Sequence, residues 1–170
     1  MTGSAQTQCW FPARTSTGQE VGIKRRLAAL GVESFIPTEK RRGYRGQMCE
    51  RAVISNLVFV RATKQTACSL RTDYGLPLNY LFDYASHTMM RVPDKQMGDF
   101  VKVFEAGSLS EGGLVDVPLS LGEKVRVTRG PLKGVEGNVL ELQGRYYVVV
   151  GLCGCIFARA RVARSCLEKC

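Results

Sequence analysis

Residues 125–139 read VRVTRGPLKGVEGNV. Val125 and Val127 alternate with charged neighbours, Gly130-Pro131 interrupts, and Val139 resumes the apolar pattern after Gly134 and Gly137. Pro131 holds its own φ near −65°. The glycines permit positive φ or a sharp bend where one strand hands over to the next. The stretch therefore predicts a tight, rigid turn between paired strands.

The same texture continues on both sides. EKVRVT, VEGNVLEL, RYYVVVG and CIFARARV, between 123 and 162, are short β-rich runs punctuated by glycine. About fifty residues of short strands predict a small closed barrel over 119–170, an architecture that curls a sheet to protect its edges. Val125, Val127, Val139, Leu142, Val148, Val150, Ile156 and Val162 are its expected core. In CIFARARV, Phe157 stands with Arg159, Arg161 and, shortly after, Arg164, at what reads as a barrel edge. That pattern suits a binding face or an edge guarded by charge.

Upstream, residues 107–118 are small and polar with three glycines, and read as a linker. Before them, 8–106 alternates helical and strand patterns. Trp10-Phe11 opens a strand. GQEVGIKRRLAAL sets Ile23, Leu27 and Leu30 at helical spacing, and Gly31 is placed to end that helix. ESFIP is a short strand closed by Pro37. KRRGYRG, 40–46, forms a basic loop. AVISNLVFVRA, 52–62, is rich in β-branched and aromatic residues and reads as one strand. Thr63 offers an N-cap to KQTACSLRT. Two further strand-like runs flank Asp83 to His87. Pro93-Asp94 starts a helix with Met97, Val101 and Phe104 on one side and Gly107 at its end, on which Asp94 and Asp99 read as cap and solvent-facing charge. The fold class expected is α+β, an antiparallel sheet with helices followed by an all-β barrel.

The chain carries a net charge of +9, unevenly spread. Residues 1–104 hold fifteen basic and eight acidic residues, and residues 105–170 hold nine and seven. IKRRL and KRRGYRG concentrate the excess, which suits attraction to nucleic acid or an acidic protein surface as well as plain solvation. The seven cysteines are odd in number and contain no C-x-x-C pair, so reduced thiols are expected rather than a disulfide framework. Cys153 and Cys155 would share one face of a strand, but a single histidine, His87, leaves no ligand set to complete a metal site. No phosphate-binding or dinucleotide motif occurs. No metal, cofactor or catalytic constellation is expected, and the chain does not read as an enzyme. The N-terminal residues lack a basic start and an apolar core, and no apolar run approaches a membrane span. A soluble, cytoplasmic, monomeric protein is expected.

The arrangement GEKVRVTRGPLKGVEGNV, 122–139, resembles the KOW motif of ribosomal and transcription-elongation proteins, with Gly130, Gly134 and Gly137 as its turn glycines. The preceding part resembles the N-terminal domain of the NusG family: Trp10-Phe11, the Gly18-Gln19-Glu20 helix entry, ESFIP, a basic loop and NLVFV at 56–60. AVISNLVFVRATK and RVPDKQMGDFVKV look like the UpxY antiterminators of Bacteroides-type bacteria, which are associated with capsular polysaccharide operons. Where general relatives carry Pro-Gly-Tyr, this chain has Ser55-Asn56-Leu57, the pattern of a specialised paralogue.

The resemblance implies binding to the clamp of RNA polymerase through an apolar patch holding Ile54, Leu57 and Phe59, with Phe11 and Arg14 beside it. Alternation puts Leu57 and Phe59 on one face and Val58 and Val60 on the other. One face must be core, and we assign that role to Val58 and Val60. The plainer alternative makes all four core. Lys40, Arg41, Arg42 and Arg45 would touch upstream or nontemplate DNA through phosphates, with Tyr44 stacking on an unpaired base or simply lying in a solvated turn. The KOW domain would recruit a termination factor or a small-subunit ribosomal protein. A ribosome-associated RNA-binding protein is the rival function.

Overall fold

The computed structural model describes residues 7–109, 113–115, 122–153 and 156–170. The chain divides into two compact units, Met1–Pro93 and Asp94–Cys170.

The first unit runs β1 (Cys9–Arg14), α1 (Glu20–Ala29), β2 (Glu33–Phe35), β3 (Thr38–Arg42), β4 (Met48–Ala52), β5 (Leu57–Ala62), α2 (Lys64–Thr72), β6 (Asn79–Tyr80), β7 (Phe82–Asp83) and β8 (Thr88–Met89). Its main sheet is antiparallel in the order β2-β5-β1-β6. Residues directly opposite in an antiparallel pair share a face. Phe11 lies opposite Val60 and Ala13 opposite Val58, so these four point the same way. They bury against Ile23 and Leu27 of α1 and Ala67 and Leu70 of α2, with Ile36, Leu76, Leu78 and Met89 completing the core.

The helices end and begin as their sequences dictate. Gly31 takes φ +72, and its N–H bonds to the Ala28 carbonyl while that of Val32 bonds to Leu27. This double bond is the Schellman closure that an αL residue permits. Thr63 caps α2 by accepting from the Thr66 N–H at 3.2 Å.

Two expectations change here. The basic loop is a β-hairpin, β3 paired to β4 from Thr38–Ala52 to Arg42–Met48. The run 52–62 is not one strand. It breaks at 53–56, and β5 starts at Leu57 because Asn56 adopts φ +69, a left-handed conformation that ends a strand and that asparagine tolerates. That turn is tied down from three directions: the Asn56 N–H donates to the Glu20 carboxylate at 2.9 Å, its carbonyl accepts from the Thr15 N–H at 3.0 Å, and Thr17 Oγ1 bonds its side chain at 2.7 Å.

The second unit contains α3 (Asp94–Leu109), β9 (Gly113–Val115), β10 (Lys124–Val127), β11 (Glu136–Leu142), β12 (Arg145–Leu152), β13 (Ile156–Val162), a 3-10 turn (Arg164–Cys166) and β14 (Leu167–Lys169). The all-β module expected here is a six-stranded antiparallel sheet in the order β14-β10-β11-β12-β13-β9. Val125, Val127, Val148, Val150, Leu152, Ile156, Ala158 and Ala160 are buried in it. Leu142 is not core: it sits at the exposed end of β11. Leu132 and Val135, inside the opening turn, are buried instead.

Residues 94–106, grouped by the sequence with the first part, lie in α3 within the second unit, packed on β12, β13 and β9. The helix continues through Gly107 to Leu109, and Gly107 is buried. Asp99 is not solvent-facing. It is 5% exposed, is bridged by Lys95 at 2.5 Å, and accepts from the Glu136 N–H at 3.3 Å. A carboxylate can be buried there because both partners compensate its lost hydration. Part of the expected linker is strand: β9 pairs with β13, so β13 is not an edge. Residues 110–112 and 116–118 of that linker lie outside the described residues, as does Cys155. Cys153 occupies a positive-φ position after β12 rather than a strand.

Candidate functional site

The β3–β4 hairpin gathers one predicted set. Lys40, Arg41, Arg42 and Arg45 are all exposed, and Tyr44 projects from the tip, fully solvated. The tip is set by hydrogen bonds from the Gly43 N–H to the Gln47 carbonyl at 2.7 Å and from the Gly46 N–H to Gly43 at 2.9 Å, with Gly46 at φ +81. Met48, opposite Arg42, is also exposed. Between 38 and 52 the hairpin carries five basic and two acidic residues. Both acids are engaged. Glu39 pairs with Arg41. Glu50 accepts from Thr38 Oγ1 at 2.7 Å and from Lys24 Nζ at 3.2 Å. The Thr38 hydroxyl first, then Lys24, hold the Glu50 carboxyl below its ordinary range. The excess positive charge therefore faces solvent on a projecting, hydrogen-bonded arm.

The sheet divides the other set. Phe11 is not on the predicted patch. It faces α1 and α2, 1% exposed, with its ring edge-on to Tyr80 at 6.2 Å. Burial pushes the Tyr80 phenol upward in pKa, and its hydroxyl donates to the Ala67 carbonyl at 2.6 Å. Leu57 and Phe59 lie on the opposite face, as alternation required, but they are not an exposed strip: they are 0% and 1% exposed. Register adds companions that sequence reading missed. Pro12 lies opposite Phe59, Trp10 opposite Arg61, and Phe35 opposite Phe59 from the other side, ring to ring at 6.4 Å. Arg14, opposite Leu57, is exposed at the strand end, and Ile54 is half-buried in the preceding turn. The signal for Trp10 and Pro12 was present in the alternation around Phe11. Phe35 needed the β2–β5 pairing.

In the second unit the turn glycines serve two purposes. Gly130 and Gly134 take φ +85 and +89. Gly137 sits in β11, where a Cβ would come within 2.3 Å of the Val149 carbonyl oxygen, so only glycine allows that approach. The Gly134 N–H bonds to Val127 at 2.8 Å and that of Lys133 to Gly130 at 3.1 Å. In the sheet, half-buried Arg159 lies over the buried Tyr147 ring at 5.3 Å and Arg164 over Tyr146 at 5.6 Å. His87 is a turn residue at φ +54 between β7 and β8. No helix among the described residues is long and apolar enough to cross a membrane.

A family model described as transcription termination factor nusG matches residues 8–100. Among solved structures, one titled "Domain interaction in Thermotoga maritima NusG" is 19% identical, with a TM-score of 0.48 over 98% of this chain and 99% of that one. Another, the MjSpt4:Spt5 complex, is 10% identical, with a TM-score of 0.30 over 95% of this chain and 97% of that one. No curated protein matches the chain.

Proposed function

This chain belongs to the NusG family of transcription factors, and from that premise we propose that it is a cytoplasmic elongation and antitermination factor acting on RNA polymerase, without catalytic chemistry of its own. The first unit grips the polymerase clamp. The basic hairpin meets upstream or nontemplate DNA by phosphate contacts, with Tyr44 available to stack on an unpaired base. Residues 119–170 form a KOW domain that recruits a further factor, a termination factor or a small-subunit ribosomal protein. The UpxY-like stretches point to action at specific polysaccharide operons.

One observation carries this reading. The helices of the first unit take Val58, Val60, Phe11 and Ala13, which leaves Trp10, Pro12, Leu57 and Phe59 as an apolar set on the other face of the sheet. Such a set has the composition of an interface centre. Leu57 and Phe59 are buried in the free chain, so the reading requires this face to become accessible when the polymerase binds. Holding the clamp shut then favours the elongating state, because a partner shifts an equilibrium by its differential affinity.

The test is in vitro transcription on terminator-bearing leaders, paired with capture from a bacterial lysate. Polymerase subunits are retained by the native chain, and retention falls in an Ile54→Asp variant and in a Phe59→Asp variant verified as folded. Readthrough rises on a cognate leader. Capture of ribosomes without polymerase would make the chain a ribosome-associated RNA-binding protein instead.

A further inference from the structure

A cavity of about 300 Å3 opens in the second unit beside the Gly130-Pro131 turn. Its surface is aliphatic: Ala106, Pro131, Leu132, Val162 and Ala163. Gly130, Cys166 and the exposed Arg129 and Arg161 complete the lining, and no acidic residue lines it. The walls are fixed before any ligand arrives. Thr128 donates to the Cys166 carbonyl twice, from its N–H at 2.8 Å and its hydroxyl at 3.1 Å, tying the 3-10 turn to the end of β10. The Val135 N–H donates to Leu132 at 3.0 Å, closing the turn over its buried leucine. A preformed groove of this kind binds with little reorganisation cost.

We propose that this groove docks an acidic peptide segment of a partner protein, with an aliphatic side chain seated on Leu132 and Val162 and flanking carboxylates facing Arg129 and Arg161. Charge complementarity selects the sign of the partner. The lining contains no aromatic ring, which disfavours nucleic acid, since single strands are held chiefly by stacking on aromatic side chains. The small, apolar surface suits the aliphatic anchor of a peptide better than a free phosphate, which needs convergent polar donors. All the residues lining the groove belong to the second unit, whereas the proposed clamp contacts belong to the first.

The experiment uses the full chain and three fluorescein-labelled probes: a twelve-residue peptide with two leucines among glutamates, the same peptide with lysines for glutamates, and a twelve-nucleotide oligo-dT. Anisotropy gives affinity, and amide chemical shifts give location. The glutamate peptide binds, shifting the amides of Gly130, Leu132 and Ala163. Reversing both arginines, Arg129→Glu with Arg161→Glu, weakens it at least tenfold. Ala163→Phe fills the groove without altering charge and has the same effect. Equal or tighter binding of the lysine peptide or of oligo-dT at these amides, no shift at millimolar peptide, or unchanged affinity in both variants overturns the proposal.

Discussion

Strand β5 and the β3–β4 hairpin are neighbours in the chain and opposites in character. In β5 every residue but Arg61 is buried, and the strand pairs on both sides. In the hairpin no residue is fully buried, and each strand pairs only with the other. One segment is a strand because its side chains leave water. The other is a strand because its turn and register hold it, while its charges stay solvated. Binding surfaces built on these two footings respond to mutation differently: damage to β5 spreads into stability, whereas damage to the hairpin stays local.

The largest test of that contrast is Phe11→Ala on the strand paired to β5, expected to cost about 3–5 kcal/mol in urea unfolding, the range for emptying a buried phenylalanine site. Tyr44→Ala should leave stability within about 0.5 kcal/mol. It should nevertheless weaken single-stranded DNA binding by about 1–3 kcal/mol, the contribution of one stacked base. If Tyr44→Ala unfolds the protein, or spares binding entirely, the hairpin is not the arm described here. A triple change of Arg41, Arg42 and Arg45 to Ala should lower the salt slope of that binding by about 2, at roughly 0.7 per phosphate contact.

The junction between the two segments comes next. Asn56→Ala leaves a Cβ at φ +69 without the polar side chain that eases that conformation and should cost about 1–2 kcal/mol, with Asn56→Gly nearly neutral. Equal losses for both would mean that the Thr17 contact to the Asn56 side chain, not the backbone angle, holds the turn. The smallest effect concerns acid. The Glu50 carboxyl is lowered in the folded state by Thr38 and Lys24, so its contribution is fully present above its unfolded pKa and is lost as pH falls through the folded value. Amide shifts of the hairpin should therefore move as pH drops below about 4.5, the ordinary Glu value. Glu50→Gln should flatten that response. Asp83, lowered by Ser86 and then the Ala85 N–H, should behave with the same sign in the β7–β8 turn.

Much of this was legible in one dimension. Alternation separated Val58 and Val60 from Leu57 and Phe59, and the glycine and threonine signals located the ends of α1 and α2. The misreadings share a cause. Asp99 looked like a surface charge because one of its two partners, the Glu136 amide, comes from 37 residues away. Phe11 looked like patch because the one-residue alternation that sends it inward is set by pairing with β5. Leu142 looked like core because β-propensity does not report where a strand runs out into solvent.

The amino-acid order alone settled which segments alternate, where glycine must bend the chain, and that positive charge gathers before residue 105, since these depend on backbone sterics and on residues near one another. Tertiary structure decided which side of each strand is covered, which carboxylate is buried, and that α3 packs within the second unit. Those outcomes arise from register and from contacts between distant segments, and no local pattern encodes a register.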